Sequence, residues 1–459
     1  MANRFGLFFT MGLATLFACA GVALAQTTEP DPGQGEELVA PASSLEEGQV
    51  IPNHYIVVLG KNVASPASVA RDLSGQLDFE TTYVYNDALN GFAAEVPSQS
   101  LSALRSDPRV EFVAKDRVVE AFAQTLPTGI DRVDADVSST AAGDGSGTAV
   151  DADIAILDSG IYKTHSDLNI AGGYNCVSRD EEAWSDGYGH GTHVAGTAAA
   201  TDDSIGVVGV APGARLWAVK VLDNSGSGSI SSAICGIDWV TGKDTDGDGT
   251  SDIEVANMSL GATVSGHDKG GCGWTRDRAV RKMHQAICNS VAAGVTYTVA
   301  AGNERQNFAK DIPAAFDQVL TVTAMADFDG DPGGGAPRTC RKDVDDTFAN
   351  FSNYAGSNDE DHTIAAPGVC IESTWKGGGY ETISGTSMAS PHVAGTAALC
   401  IANGPCSSGD PQGTLDRLRA DAENKSDLTA TLYYGFFGDS NDPVDSTRYY
   451  GYLEYAGGY

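Results

Sequence analysis

The strongest constraint on this chain is an alternation that begins near residue 154 and runs to about 402. Short, mainly apolar runs at 154–157, 216–221, 253–258, 295–300 and 319–322 are separated by helical patterning at 192–200, 229–241, 275–293 and 388–402. Successive side chains of a strand point to opposite sides, so a run apolar at every position must be covered on both faces. Helices between such strands supply the covering layers. The pattern predicts an α/β domain with a mostly parallel sheet flanked by helices on both faces.

Upstream the pattern changes. Residues 55–59, 91–96 and 110–113 read as strands, with a further one opening at Val118, and 64–77 and 98–106 as helices. Residues 51–122 are therefore expected to form a small α+β domain of βαββαβ order. Residues 26–50, rich in Pro, Gly, Glu and Gln, read as a flexible leader. In residues 1–25, Arg4 precedes an apolar run that closes on Ala23-Leu24-Ala25, the pattern of a secretory signal peptide. Leu16-Phe17-Ala18-Cys19 partly matches a lipoprotein signal, but Phe17 is too bulky for that motif. No later run reaches the length of a membrane span, so the expectation is an extracellular protein, free of the membrane once the signal is removed. The second domain then occupies 123–459, with a Tyr/Gly-rich extension from about 431. Within that extension, 449–455 reads as an antiparallel strand or hairpin at the domain edge.

Acidic residues outnumber basic ones by 61 to 28. Such a surface repels phosphate backbones, which excludes nucleic acid as a partner, and it attracts cations. Eight cysteines follow the signal segment, an even number suited to an oxidising compartment. About 105 pairings are possible. Proximity favours Cys272–Cys288 and Cys400–Cys406, then Cys340–Cys370, with Cys176–Cys235 as the remainder. No Cys/His cluster has zinc spacing.

Three polar clusters stand at the ends of predicted elements. Asp158-Ser159-Gly160 ends the first strand, at the edge where open α/β sheets place ligands. Gly189-His190-Gly191-Thr192-His193 leads into a helix, and Gly385-Thr386-Ser387-Met388-Ala389-Ser390-Pro391 opens another. Alone, Asp158 reads as a turn residue and Ser387 as a helix cap. His190 and His193 could hold a metal, but no carboxylate or cysteine completes a set. Together the clusters hold a hydroxyl nucleophile, an imidazole to take its proton and a carboxylate to fix the tautomer.

In the order Asp, His, Ser, these motifs resemble the subtilisin-like (subtilase) serine proteases, in particular their proteinase K-like and bacterial extracellular branches. Residues 51–122 resemble the inhibitor-like propeptide of that family. The resemblance implies a secreted serine endopeptidase, self-processed from an inhibited precursor, with Asp158, His190 and Ser387 as triad. It selects His190 over His193, which then reads as structural, like His392. It implies Asn303, in Ala300-Ala301-Gly302-Asn303, as oxyanion donor. It also implies that Gly226, Ser227 and Gly228 pair with an extended substrate and that Ser259, Leu260 and Gly261 line the primary pocket. Broad specificity with an apolar or aromatic P1 bias follows, along with a monomer whose partners are peptide substrates and its own propeptide. Two other readings have discriminators: an inactive calcium-dependent binding scaffold would lack a triad residue, and a serine-carboxyl peptidase would use Glu and Asp in place of His190.

Structural Ca2+ is expected, with no organic cofactor. Asp244, Asp246, Asp248 and Asp252 stand at positions 1, 3, 5 and 9 of a loop with Gly249 at 6, although an acidic residue is missing at 12. Asp327-Phe328-Asp329-Gly330-Asp331 is a shorter echo. The resemblance adds Asp327 as a calcium ligand, with carbonyls of Pro313 and Ala315.

Overall fold

The computed structural model describes residues 50–117, 124–244, 251–264, 272, 277–427 and 433–459. They fall into two units divided between residues 121 and 122. The first contains β1 (Val50–Leu59), α1 (Pro66–Leu77), β2 (Glu80–Tyr85), β3 (Gly91–Glu95), α2 (Ser98–Ser106) and β4 (Val110–Arg117). Its antiparallel sheet has the order β2-β3-β1-β4. Val57, Leu59, Phe92 and Ala94 pack against Val69 and Leu73 of α1 and Leu104 of α2. Ser65 caps α1 by accepting from Ser68 N, with Pro66 next to it where no donor is needed.

Two expectations fail in this unit. The sequence reading has no strand at β2, whose residues are mostly exposed and carry no apolar alternation. It also breaks the last strand after residue 113, whereas β4 runs unbroken to Arg117; Val118 lies outside the described residues.

The second unit contains α3 (Thr128–Arg132), β5 (Asp153–Asp158), β6 (Ile170–Asn175), α4 (His190–Ala199), β7 (Arg215–Lys220), α5 (Ile230–Thr241), β8 (Val255–Met258), β9 (Ala262–Thr263) and α6 (Arg278–Ala292). After these come β10 (Thr296–Ala300), β11 (Asp311–Ile312), β12 (Leu320–Ala326), β13 (Thr347–Phe348), β14 (Thr363–Pro367), β15 (Ile371–Trp375), β16 (Gly379–Ile383), α7 (Thr386–Asn403) and α8 (Pro411–Asp427). The main sheet has the order β13-β12-β10-β8-β5-β7-β6, with β14 also on β12, and all its pairings are parallel except β12 with β13.

A strand buried on both faces needs two cores. Ile154 and Ile156 of β5 point into one with Val194 of α4 and Val393 of α7, while Ala155 and Leu157 point into the other with Ile237 of α5 and Ile287 of α6. The uninterrupted apolar runs are the direct consequence.

The C-terminal expectation is corrected. Residues 449–455 form no hairpin: the segment meets the body through single bridges, Tyr449 with Ala355 and Leu453 with Ala365. Its tyrosines pack as side chains, Tyr450 stacking on Phe348 at 4.8 Å. The sequence reading also lacks α8, whose buried apolar residues are few: Pro411, Leu415, Leu418 and Ala422. The disulfides of the structure are Cys176–Cys235, Cys272–Cys288, Cys340–Cys370 and Cys400–Cys406.

Candidate active site

Three neighbouring strands, β5, β8 and β10, run in parallel and end on the same side of the sheet. Asp158 is the last residue of β5, Ser259 follows β8, and Asn303 lies three residues beyond β10. Strand order therefore gathers positions nearly 150 residues apart in sequence at one carboxyl edge.

Asp158 is fully buried, and His190 Nδ1 lies 2.9 Å from each of its carboxylate oxygens. His190 opens α4, and its backbone is held by the glycines of its own motif together with Trp375 and Asp186, which the sequence reading did not single out. Gly189 before it has φ +113°, and a side chain there would strike the Trp375 ring. A Cβ at Gly191 would lie 2.2 Å from the Gly160 carbonyl. The start of α4 has no cap from its own N-cap residue. Asp186 supplies one: its carboxylate accepts from the amides of Tyr188, Gly189 and Thr192, from Thr192 Oγ1 and from Ser159 Oγ. Orphan donors of a helix start are thus satisfied from outside the helix. The imidazole is subject to opposing effects: burial pulls its pKa down, attraction to Asp158 and their hydrogen bond push it up, and Asp186 adds to the rise. The net direction is upward. Lys220, also buried, donates Nζ to the Ser159 carbonyl beside these two acids.

His193 is unlike His190. Its Nε2 contacts the carbonyls of Ile371 and Glu381, and burial lowers it to about 3. His392, in contact with the Met388 carbonyl, is lowered to about 4 by burial. Both are neutral rings locked into the packing.

Ser387 is the second residue of α7. Pro391 stands at the sixth position, early in the helix but past its first turn. A proline has no N–H, so the Ser387 carbonyl four residues back receives no helical bond. Ser259 Oγ fills the gap, donating to that carbonyl at 2.7 Å. Asn257, fully buried, donates Nδ2 to Ser259 Oγ and accepts from Thr298 and Ser390. The nucleophile-type helix start is thereby tied to β8 and β10. The Ser387 hydroxyl itself donates to the Ser259 carbonyl at 3.3 Å.

Asn303 Oδ1 accepts from Thr386 N at 2.9 Å and from Thr386 Oγ1 at 3.1 Å, which turns its Nδ2 away from them. A Cβ placed on Gly385 would lie 3.6 Å from Ser387 N, 3.7 Å from Asn303 Nδ2 and 3.8 Å from Asn303 Oδ1, so the Asn303 amide and the Ser387 N–H approach the same glycine. With Oδ1 held by Thr386, Nδ2 and Ser387 N–H are the two donors this corner could offer a developing oxyanion.

A cleft of about 560 Å³ is lined by His190, Gly226, Ser227, Gly228, Leu222 and Met283, together with Ser259, Leu260 and Gly261. A smaller cavity of about 180 Å³ shares Leu260, Gly261 and Ile312 with it and is also bordered by Asn303 and Ser387. All six residues expected to bind substrate lie on these walls.

The metal expectations fare differently. Asp246 and Asp248 lie outside the described residues, so the loop they share with Asp244 and Asp252 is not described as a site. Pro313, Ala315 and Asp327 do not converge. Ala314 accepts from Thr321 Oγ1 at the start of β12, whereas Asp327 follows its last residue. An extended strand of that length separates them by roughly 20 Å.

Residues 151–435 match the model of the Subtilase family, and residues 54–122 match that of Peptidase inhibitor I9. Subtilisin NAT of Bacillus subtilis subsp. natto is 34% identical over 389 residues, covering 83% of this chain and 87% of its own. An extracellular serine proteinase of Thermus sp. (strain Rt41A) is 35% identical over 429 residues, covering 87% and 90%. The crystal structure of a cold adapted subtilisin-like serine proteinase matches with a TM-score of 0.51 at 30% identity, over 72% of this chain and 98% of that one.

Proposed function

The chain belongs to the subtilase family and is a serine endopeptidase with an inhibitor-type propeptide, and on that premise we propose that Asp158, His190 and Ser387 are its triad and Asn303 its oxyanion donor. The observation that carries this reading is the contact of His190 Nδ1 with both oxygens of a fully buried Asp158. That contact leaves Nε2 as the nitrogen available to a hydroxyl.

Ser387 Oγ exchanges its long hydrogen bond to Ser259 for His190 Nε2 and attacks the scissile carbonyl as His190 takes its proton. Asp158 holds the tautomer and stabilises the imidazolium. Asn303 Nδ2 and Ser387 N–H bind the oxygen that becomes negative. His190 then protonates the leaving amine, and a water activated by the same ring hydrolyses the acyl-enzyme.

Gly226–Gly228 and Ser259–Gly261 would pair with an extended peptide as an added strand. Leu260, Ala300, Ala301, Ala314 and Ile312 support an apolar or aromatic P1 side chain. The acidic members of that wall are engaged elsewhere: Glu304 with Asn303 N and Asn353, Asp311 with Thr263 and Asn353. The precursor is proposed to carry a signal peptide at 1–25 and a leader at 26–50. The unit at 51–122 acts as chaperone and transient inhibitor, and the mature domain at 123–459 is secreted as a monomer braced by Ca2+. No described helix is long and apolar enough to cross a membrane.

Purified precursor is the test. Ser387→Ala protein should stay at full length, while the parent releases a mature form cut near residues 122–126, read by mass spectrometry. Cleavage of the variant at the same junction without added protease would overturn self-processing. A peptide library digested by the parent should show Phe and Leu preferred at P1; preference for Lys or Arg would assign specificity to Glu304.

A further inference from the structure

Away from the cleft, the loop that follows β12 folds around a group of carboxylates. Asp345 accepts from the amides of Phe328, Gly335 and Ala336, and Asp346 from those of Gly333 and Gly334. Asp327 Oδ2 accepts from Gly330 N. The loop's backbone donors are thus spent on fixing acids at its centre, and three of those acids are buried: Asp327 is 2% exposed, Asp345 4% and Asp346 7%.

The positive charge within reach is Arg132, itself fully buried. Its Nε and Nη2 bond Asp346 Oδ1 at 2.9 and 2.8 Å, and Nη2 also bonds the carbonyls of Tyr434 and Gly435. Asp327 Oδ1 is left 3.7 Å from Nε and has no hydrogen-bond partner. This guanidinium thus meets two of the buried carboxylates, Asp346 and Asp327, while Asp345 and Asp329 gather beside Asp327. Isolated charge in an interior is strongly unfavourable unless matched.

We propose that Asp327, Asp329 and Asp345 form a Ca2+ site, distinct from the loop at 244–252. One carboxylate oxygen from each lies within 4.8 Å of the others. Two oxygens bound to a common ion at about 2.3–2.6 Å can be at most about 5 Å apart, so the three can share one cation. Asp327 Oδ1, buried and without a hydrogen bond, has only the Arg132 guanidinium at 3.7 Å to balance it among the contacts described. The amide bonds to Asp345 are compatible with ligation, since ligating carboxylates are themselves held by hydrogen bonds. Asp329, exposed, leaves the cation an entrance and room for water ligands. The loop that carries the site is tied through Asp346 and Arg132 to α3 and to the carbonyls of Tyr434 and Gly435. The site does not depend on the triad assignment.

The test uses full-length Ser387→Ala protein, which cannot digest itself if the triad reading holds; an irreversible serine-directed inactivator serves the same end for the parent. After chelation, Ca2+ binding is followed by equilibrium dialysis and by the melting midpoint. Asp329→Asn is the primary variant because its exposed side chain is not part of the packing, and an unchanged circular dichroism spectrum verifies its fold. It should weaken one Ca2+ at least tenfold and remove a corresponding part of the Ca2+-induced rise in midpoint. Asp246→Asn/Asp248→Asn should leave that Ca2+ in place. Unaltered Ca2+ affinity and stoichiometry in Asp329→Asn, or no Ca2+ bound by the unsubstituted sites, would overturn the proposal.

Discussion

Asp186 receives five hydrogen bonds at the start of α4, yet in the sequence it is one acid among many. It touches no substrate position and acts through His190, by holding the backbone that carries the ring and by adding to the upward shift of its pKa. The active imidazole is neutral, so kcat/KM must fall as pH drops through that pKa, and the acid limb should lie above the ordinary value of 6.5. Asp186→Asn removes a negative charge that favours the imidazolium, so the limb should move to lower pH. Loss of two or more anchoring bonds should lower kcat on the order of 10²-fold with little change in KM. A pH–rate profile with stopped-flow or steady-state peptide hydrolysis separates these effects. An unshifted limb would leave Asp186 as a packing residue alone. Asp158, His190, Ser387 and Asn303 were legible because each sits in a short motif; Asp186 and Lys220 were not, because their partners come from other strands and helices.

At the scale of elements, a strand apolar on both faces announced itself, whereas β2 and α8 did not. β2 is defined by pairing with β3 rather than by burial, and α8 has few apolar contacts along its 17 residues. The C-terminal segment shows the same limit from the other side. Its tyrosines suggested a continuous strand, but it is held by two single bridges and by packed side chains, and Glu454 goes with them into the core. That carboxylate is fully buried, with Oε2 bonded to Thr396 Oγ1 of α7 and Oε1 without a partner. Burial raises its pKa well above 4.5, so the protonated form is favoured in the folded chain. The folded value exceeds the unfolded one, hence this contribution is fully present below about 4.5 and is lost as pH rises towards the folded pKa. Glu454→Gln keeps an acceptor for Thr396 and does not ionise. Urea denaturation of both proteins on the Ser387→Ala background should show the parent losing more stability between pH 5 and pH 9. The excess loss is at most about 1.4 kcal/mol per pH unit. Parallel stability profiles would refute the assignment.

For the whole molecule, the cross-links differ in how much of the unfolded chain they restrain. Cys176–Cys235 spans a separation of 59 residues and joins the end of β6 to α5, whereas Cys400–Cys406 spans 6. Loop-closure entropy then assigns about 4 kcal/mol to the first and about 2 kcal/mol to the second. Replacing each pair by serine on the Ser387→Ala background should reproduce that order in guanidinium midpoints. Equal losses would mean that strain or residual structure outweighs chain entropy. The acidic excess belongs to this scale too. It was read from composition as an attraction for cations, but composition could not say where the charge collects.

By itself, the sequence determined the layered α/β architecture, because burial on both faces leaves its mark residue by residue, and it determined the triad candidates, because their motifs are local. Tertiary structure decided what surrounds them. The tie from Ser259 to the Ser387 carbonyl, the cap that Asp186 places on α4 and the nest holding Asp327 all join groups brought together by strand order and loop closure. Asp327 makes the point most directly. Sequence resemblance joined it to Pro313 and Ala315, but β12 lies between them, and the fold turns it instead towards Arg132 and Asp345. Position along a chain fixes which side chains are near in sequence; only packing fixes which charges must be satisfied in the same buried space.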